Sequence, residues 1–146
     1  MTINVIDSTE TVRLAILAAL KADAGVISQV PTSRIYPSRT PATLTWPFIR
    51  MGVTSELPFR PSGAYGSQTI IGAVHVFTKS QTGSLDAERA ANLAKKEVAR
   101  VLDGLVVAIT GGYANVRYDG GQTIQDAAEA DAYHGIVNYE ATCVVD

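Results

Sequence analysis

Three side chains of this sequence could carry acid–base, nucleophilic or metal chemistry, those of His75, His134 and Cys143. A reactive thiol needs a nearby base, and a histidine metal site usually takes its ligands at short, regular spacing. Neither condition is met here, since the two histidines are far apart in the chain and Cys143 lies on the apolar face of a strand-like segment. We therefore interpret Cys143 as a small buried hydrophobe and the histidines as packed or surface residues.

The other charged and glycine-rich stretches lack the spacing of known binding motifs. The acidic run QDAAEAD (125–131) has neither the alternating oxygen ligands nor the glycine of a calcium loop. TGGYANV and DGGQ match neither a phosphate-binding loop nor a dinucleotide fingerprint. The basic patch of the second predicted helix is interrupted by Glu97, which indicates a solvated helix face. The sequence thus predicts no catalytic residue, no cofactor and no metal site, and we expect that the protein is not an enzyme.

The composition is that of an ordinary globular protein. The chain has 146 residues, 47% of them hydrophobic, so a single domain over residues 1–146 is expected. Its formal net charge of −2 provides no basic surface for nucleic acid. One cysteine excludes an intrachain disulfide, and the apolar stretch at 14–20 is too short to span a membrane. Because a signal-peptide pattern is also absent, we expect a protein of a reducing compartment without a membrane partner.

The first predicted helix carries more apolar surface than one interface needs. Val12, Ile16 and Leu20 form the stripe expected of a helix that packs on a sheet. Leu14 and Leu17 add a second stripe. We therefore expect this helix to be covered on two sides.

Prolines dominate the segment that follows. Pro37, Pro41 and Pro47 lie within RIYPSRTPATLTWPFIR (34–50), where each removes a backbone donor and favours extended geometry in the preceding residue. They predict a helix-free lead-in to a strand, FIRMGVT. A polar loop, SELPFRPSGAYGS (55–67), then leads to a second strand, TIIGAVHVFTK.

The second half of the chain predicts one helix and further strands. The helix lies in LDAERAANLAKKEVARVLDG, with Ser84 as its N-cap and Gly104 just past its end. One or two short strands in LVVAITGGYANVRYDG and a clear closing strand in YHGIVNYEATCVVD follow. The order α, β, β, α, β, β favours antiparallel pairing, because parallel neighbours need a long crossover. We expect an α+β fold, an antiparallel or mixed β-sheet with two α-helices packed on one face.

The order of these segments resembles that of a known family. The pieces that carry the resemblance are the VRLAILAALKADAGV helix, the RIYPSRTPATLTWPFIRMG lead-in, the HVFTKS strand end, the AERAANLAKKEVARVLDG helix and the closing YHGIVNYEATC. Together they are similar to the small tail-terminator or tail-completion proteins of long-tailed bacteriophages and gene transfer agents. None of these pieces is a catalytic signature, and the family fold, a sheet with two helices on one side, agrees with the fold predicted above.

The resemblance implies a structural virion protein that is assembled in the host cytoplasm and located in the tail and neck. Such a protein forms a homohexameric ring at the head-proximal end of the tail and terminates polymerisation of the tail tube protein. The ring also joins the tail to the head connector, or stopper, protein. DNA passes through its lumen only as non-specific cargo, which suits a net-negative chain.

Two sets of residues are candidate contacts in such a ring. Self-association is expected through the second stripe of the first helix and the proline-rich lead-in, that is, through Leu14, Leu17, Tyr36, Pro37 and Pro41. A partner interface is expected in the loop at 55–67, whose apolar residues Leu57, Phe59 and Tyr65 are unusual in a solvated loop.

Three other functions stay open on the sequence alone. One is a head–tail connector (adaptor or stopper) protein of the neck. Another is a small ligand-binding domain whose pocket is the mixed face of the sheet. The third is an enzyme that uses His75 or His134.

Overall fold

The computed structural model describes residues 7–58, 68–80, 86–126 and 131–145. The described elements, in chain order, are α1 (Thr9–Ala22), α2 (Ala24–Gln29), a 3₁₀ turn (Thr32–Arg34), β1 (Ile35–Tyr36), β2 (Phe48–Met51), β3 (Ser55–Pro58), β4 (Gln68–Lys79), α3 (Ala87–Leu102), β5 (Val106–Ile109), β6 (Gly112–Gln125) and β7 (Ala132–Val145). The predicted α+β class is confirmed.

The strands form one mixed sheet in the order β1-β2-β4-β7-β6-β5, with β3 also paired to β4. Only β1 and β2 are parallel among the described pairs; all others are antiparallel. The long central strands β4 and β7 pair along their whole length, from Gln68 opposite Cys143 to Lys79 opposite Ala132. The TIIGAVHVFTK strand therefore occupies the middle of the sheet.

Helices α1 and α3 pack on one face of this sheet, which we call the inner face. Alternate residues of β4 and β7, such as Val74, Val76 and Val137, point to the helices and are fully buried. In α3, Ala91, Ala94, Val98 and Leu102 form the buried stripe. Two strand faces with different burial are what a sheet covered on one side requires.

Helix α1 is buried mainly on one side, whereas the sequence predicted that two of its sides would be covered. Val12, Ile16 and Leu20 are fully buried, and Leu17 joins the same core at the margin of this stripe. Leu14 alone of the second stripe is exposed, at 47%. The expectation that Leu17 faces a neighbouring subunit is therefore wrong, because its side chain is already packed within its own domain.

Helix α3 begins two residues later than predicted. Asp86 is its N-cap, and its side chain accepts a hydrogen bond from the backbone N–H of Arg89 at 2.9 Å. The predicted cap, Ser84, lies outside the described residues. Gly104 follows the C-cap with φ +86°, a left-handed conformation that glycine adopts without a Cβ penalty, as predicted.

The segment 55–67 is not wholly a loop. Its first four residues form β3, which pairs with β4 from Ser55 opposite Ile71 to Pro58 opposite Gln68. The prediction missed this strand because all four side chains are exposed, so no apolar alternation marks it. Residues 59–67, with the predicted anchors Phe59 and Tyr65, lie outside the described residues.

Candidate functional site

The outer face of the sheet, opposite the helices, carries a row of stacked rings. Phe48 of β2 stacks on Phe77 of β4, with centroids 4.7 Å apart, and Phe77 stacks on His134 of β7 at 4.3 Å. Trp46, at the end of the proline-rich lead-in, covers Phe48 edge-on at 5.1 Å. The lead-in between β1 and β2 has no helix or strand, as its prolines predicted, and its last residues close this aromatic row.

The two histidines that are far apart in the sequence meet on this face. His75 of β4 and His134 of β7 share a hydrogen bond of 2.7 Å between Nδ1 of the first and Nε2 of the second. One imidazole must donate and the other accept, so a neutral pair satisfies this contact. Burial, the charge of His134 and that of Arg50 lower the pKa of His75 to about 4.

The pKa of His134 is also lowered, first by burial and then by Arg50, while Asp126 raises it. Arg50 lies directly across from His75 in the strand register. A proton on either ring would therefore face a permanent guanidinium charge. The pair is neutral at neutral pH and is packed, which is one of the two environments predicted for the histidines.

This pair should make the stability of the protein depend on pH. The unfolded chain protonates His75 near its ordinary pKa of 6.5, whereas the folded chain resists until about 4. Between these values the unfolded state binds more protons, so the free energy of unfolding is expected to fall as pH drops from 6.5 to 4. Urea unfolding at several pH values measures this, and His75→Gln is expected to flatten the dependence. An equally steep dependence in that variant would contradict the assignment.

A cavity of about 380 Å³ opens at the end of β2, and we call it the arginine cavity. It is lined by Arg13 of α1, Ser38 of the lead-in, Arg50 of β2, and Gly52 and Thr54 of the turn after β2, among others. The Arg13 guanidinium is held by Glu10 at 2.8 Å and 3.0 Å, and it donates to the Pro37 carbonyl at 3.2 Å. Residues from three separate segments thus converge on one opening with two guanidinium groups.

Arg50 has no acidic partner among the residues that the structure describes. Its guanidinium carbon lies 5.4 Å from the centre of the Phe77 ring, a cation–π arrangement. Arg50 was not among the residues predicted from the sequence. The available signal was a lone charge in the otherwise apolar strand FIRM.

The predicted self-association residues lie partly together. Leu14 and Tyr36 come from α1 and β1, which contact each other, and the Arg13–Pro37 hydrogen bond joins the same two segments. Pro37 and Pro41 are exposed on the lead-in, and Tyr36 is half-buried beside Phe48. Leu17 is buried elsewhere, as described above. The described part of the predicted partner interface is Leu57, whose side chain is 68% exposed on β3.

The basic patch of α3 is less solvated than predicted. Lys95 Nζ donates to Thr123 Oγ1 at 2.9 Å, and Thr123 donates on to Asn92 at 2.7 Å. The Lys95 stem lies over Gly135, and burial lowers the pKa of its amine. Arg100 is paired with Asp23 and Glu97. These side chains tie α3 to the sheet and to α2, so they are structural contacts.

Reactive chemistry has little support in this arrangement. Cys143 is 1% exposed in the core, and burial raises the pKa of its thiol, which agrees with the prediction of a buried hydrophobe. Within residues 7–58, 68–80, 86–126 and 131–145, no three histidine, cysteine or acidic side chains converge as metal ligands. Over the same ranges, no helix combines the length and apolar character needed to cross a membrane.

Comparison with known proteins finds one matching family and similar solved structures. Residues 14–143 match the model of a family described as "Tail completion protein gp17". Among solved structures, a chain from the "Virion of native gene transfer agent (GTA) particle" is similar in fold, with a TM-score of 0.78 at 15% sequence identity. The match covers 92% of this chain and 96% of that one. No curated protein matches the sequence.

Proposed function

The chain belongs to the tail completion protein gp17 family, and from this premise we propose that it closes the head-proximal end of the tail as a homohexameric ring. It is a structural protein of the bacteriophage tail and is located in the virion tail. In the proposed ring, the single domain over residues 1–146 terminates polymerisation of the tail tube protein and offers a surface to the head connector or stopper protein. DNA crosses the lumen as non-specific cargo. The role involves no catalysis.

The observation that carries the proposal is the family match over residues 14–143. The sheet has two edge strands, β1 and β5, at the ends of the strand order, and α1 contacts both of them. A head-to-tail contact between two different surfaces of identical copies either closes into a ring or grows into a filament. Closure stops growth, which is the property that a terminator needs.

We assign self-association to residues near the β1 edge, namely the exposed Leu14, Pro37 and Pro41 and the half-buried Tyr36. Leu14 is 47% exposed, and its apolar side chain has no covering element on that side of α1 among the described residues. Prolines limit the freedom of the lead-in before contact, which lowers the entropy lost on association. The docking surface for the tail tube or head connector is assigned to Leu57, Phe59 and Tyr65.

The decisive experiment is electron microscopy of assembled tails. Six-fold symmetry is expected at the head-proximal end, with density for this protein in the terminal ring. Tails from a phage that lacks the protein are the control, and their length is expected to become uncontrolled. Another rotational order, or a position elsewhere in the neck, would contradict the proposal.

A further inference from the structure

We propose that the arginine cavity receives a carboxylate side chain from a neighbouring copy of this chain, and that Asp119 of the neighbour supplies it. This inference rests on the proposed ring. The cavity would then be the acceptor of a charge-specific contact that sets how adjacent subunits meet.

The Arg50 guanidinium brings an unpaired positive charge to the arginine cavity. Its planar guanidinium offers five N–H donors, and none of them is bonded to a residue that the structure describes. Arg13 faces the same cavity with its own charge already balanced by Glu10. A second arginine held in place beside an unpaired one strengthens the positive potential of the opening. A carboxylate is the group that a free guanidinium binds in bidentate geometry.

The residues around Arg50 in the cavity also favour a carboxylate as the occupant. The hydroxyl-bearing residues Ser38 and Thr54 also line the cavity, and both can donate to a carboxylate oxygen. At Gly52 the backbone of the cavity wall lies close to His75, since a Cβ at this position would fall 2.6 Å from His75 Nε2. His75 is neutral at neutral pH, as shown above, so it supplies no competing charge. The volume of about 380 Å³ suits one acidic side chain with part of its backbone.

The position of the cavity at the β1 end of the sheet favours a second copy of the chain as the occupant. The cavity shares Arg13 with the contact between α1 and the lead-in, at the β1 end of the sheet. In the ring proposed here, this end meets the β5–β6 end of the next subunit. Asp119 is exposed there on β6, beyond the residues that β5 covers, and no described residue donates a hydrogen bond to it. The charge of Asp119 acts on Arg117, which is itself paired with Glu140.

DNA is a less suitable occupant. Binding of phosphates along a strand needs several cations in series, and the chain as a whole carries a net charge of −2. One unpaired arginine in a cavity of about 380 Å³ matches a single carboxylate better than it matches a phosphate backbone.

The test is a charge exchange between the two residues. Arg50→Glu and Asp119→Arg, each alone, are expected to reduce six-fold rings and phage titre by about tenfold or more, because each places like charges together at the contact. The double variant restores the opposite pair and is expected to recover most of the titre. Arg89→Glu makes the same charge change on an exposed position of α3 and is the matched control, expected to remain near wild type.

The outcomes separate the inference from the proposed function. Wild-type tails without six-fold rings would contradict the function itself. If the Arg50→Glu variant forms six-fold rings at the wild-type titre, only the cavity contact is overturned. The same holds if the titre of the double variant is no higher than that of the single variants. Circular dichroism of each free variant checks folding, and Arg50→Gln replaces Arg50→Glu if the latter unfolds. Binding of a short DNA oligonucleotide that Arg50→Gln abolishes would also overturn the carboxylate assignment in favour of phosphate.

Discussion

Replacing residues 59–67 with Asn-Gly is expected to leave the domain folded and to produce phage heads and tails that fail to join. The strands on both sides of this segment are already in register, because Pro58 lies opposite Gln68. Asn-Gly forms the two-residue turn that such a register accepts. The replacement also removes Phe59 and Tyr65, the two aromatic residues of the proposed docking surface.

The reason for a large effect is the energetic weight of aromatic anchors. A few buried tyrosine, tryptophan or arginine side chains usually dominate a protein interface. Loss of two such residues together is expected to lower phage titre by orders of magnitude, with tails of uncontrolled length or unjoined heads visible by electron microscopy. Complementation of a phage that lacks the gene measures the titre, and urea unfolding of the free variant confirms the fold.

A control on the same strand sharpens this result. Ser55→Ala changes an exposed side chain of β3 without touching an aromatic anchor and is expected to keep the wild-type titre. If the Asn-Gly variant also complements at wild-type titre, the segment has no docking role. The predicted partner interface would then be wrong, although the ring could still form.

The second large effect is expected from Gly72→Ala. Gly72 of β4 lies opposite Tyr139 of β7, and the tyrosine ring covers the glycine on the inner face. A Cβ at position 72 would overlap the Tyr139 hydroxyl oxygen and lie 2.6 Å from Cζ of the ring. Because Tyr139 is fully buried, its ring has little room to retreat. We expect the free energy of unfolding to fall by about 2–4 kcal/mol, measured by urea denaturation.

Two variants test the cause of that loss. Gly135→Ala is the matched control, because the Cβ there meets the flexible stem of Lys95, which can shift at lower cost. Tyr139→Phe removes the overlapping oxygen and should recover part of the stability in the double variant. A Gly72→Ala protein as stable as wild type would show that the tyrosine ring is not fixed as described.

Tyr139→Phe alone is informative about the core. The Tyr139 hydroxyl is buried and has no hydrogen-bond partner among the described residues, and burial raises its pKa to about 12. A buried donor without a partner costs free energy, so phenylalanine is expected to be neutral or stabilising by about 1 kcal/mol in the same assay.

The sequence predicted best those elements whose burial follows a simple period. Helix α3 has a single apolar stripe, and β7 alternates from Val137 to Cys143, so both were located correctly. Helix α2 was not predicted, since Gly25 in its first turn is a poor helix former. The Asp23 side chain nevertheless caps this helix by accepting from the Val26 N–H at 3.0 Å. The alternation of apolar residues in FIRMGVT predicted that the strand continues to Val53. In the structure β2 ends at Met51, and Val53 is 92% exposed.

The candidate site could not be predicted because it depends on register. His75 and His134 meet only because β4 and β7 pair with Phe77 opposite His134. The arginine cavity joins residues of α1, the lead-in and β2, whose approach follows from packing and not from any local spacing. A motif search cannot find either one, because each needs residues from separate segments of the chain.

The pairing of β4 with β7 also has a consequence for synthesis. The two strands are more than fifty residues apart in the chain, and β7 lies between β4 and β6 in the sheet. During synthesis on the ribosome, one edge of β4 therefore stays unpaired until residue 145 has emerged. Contacts so distant in sequence slow folding, and an unpaired strand edge can pair with the edge of another nascent chain. The yield of this protein in a cell should accordingly depend on translation speed and chaperone supply, and slower synthesis at lower temperature should favour the correctly paired sheet.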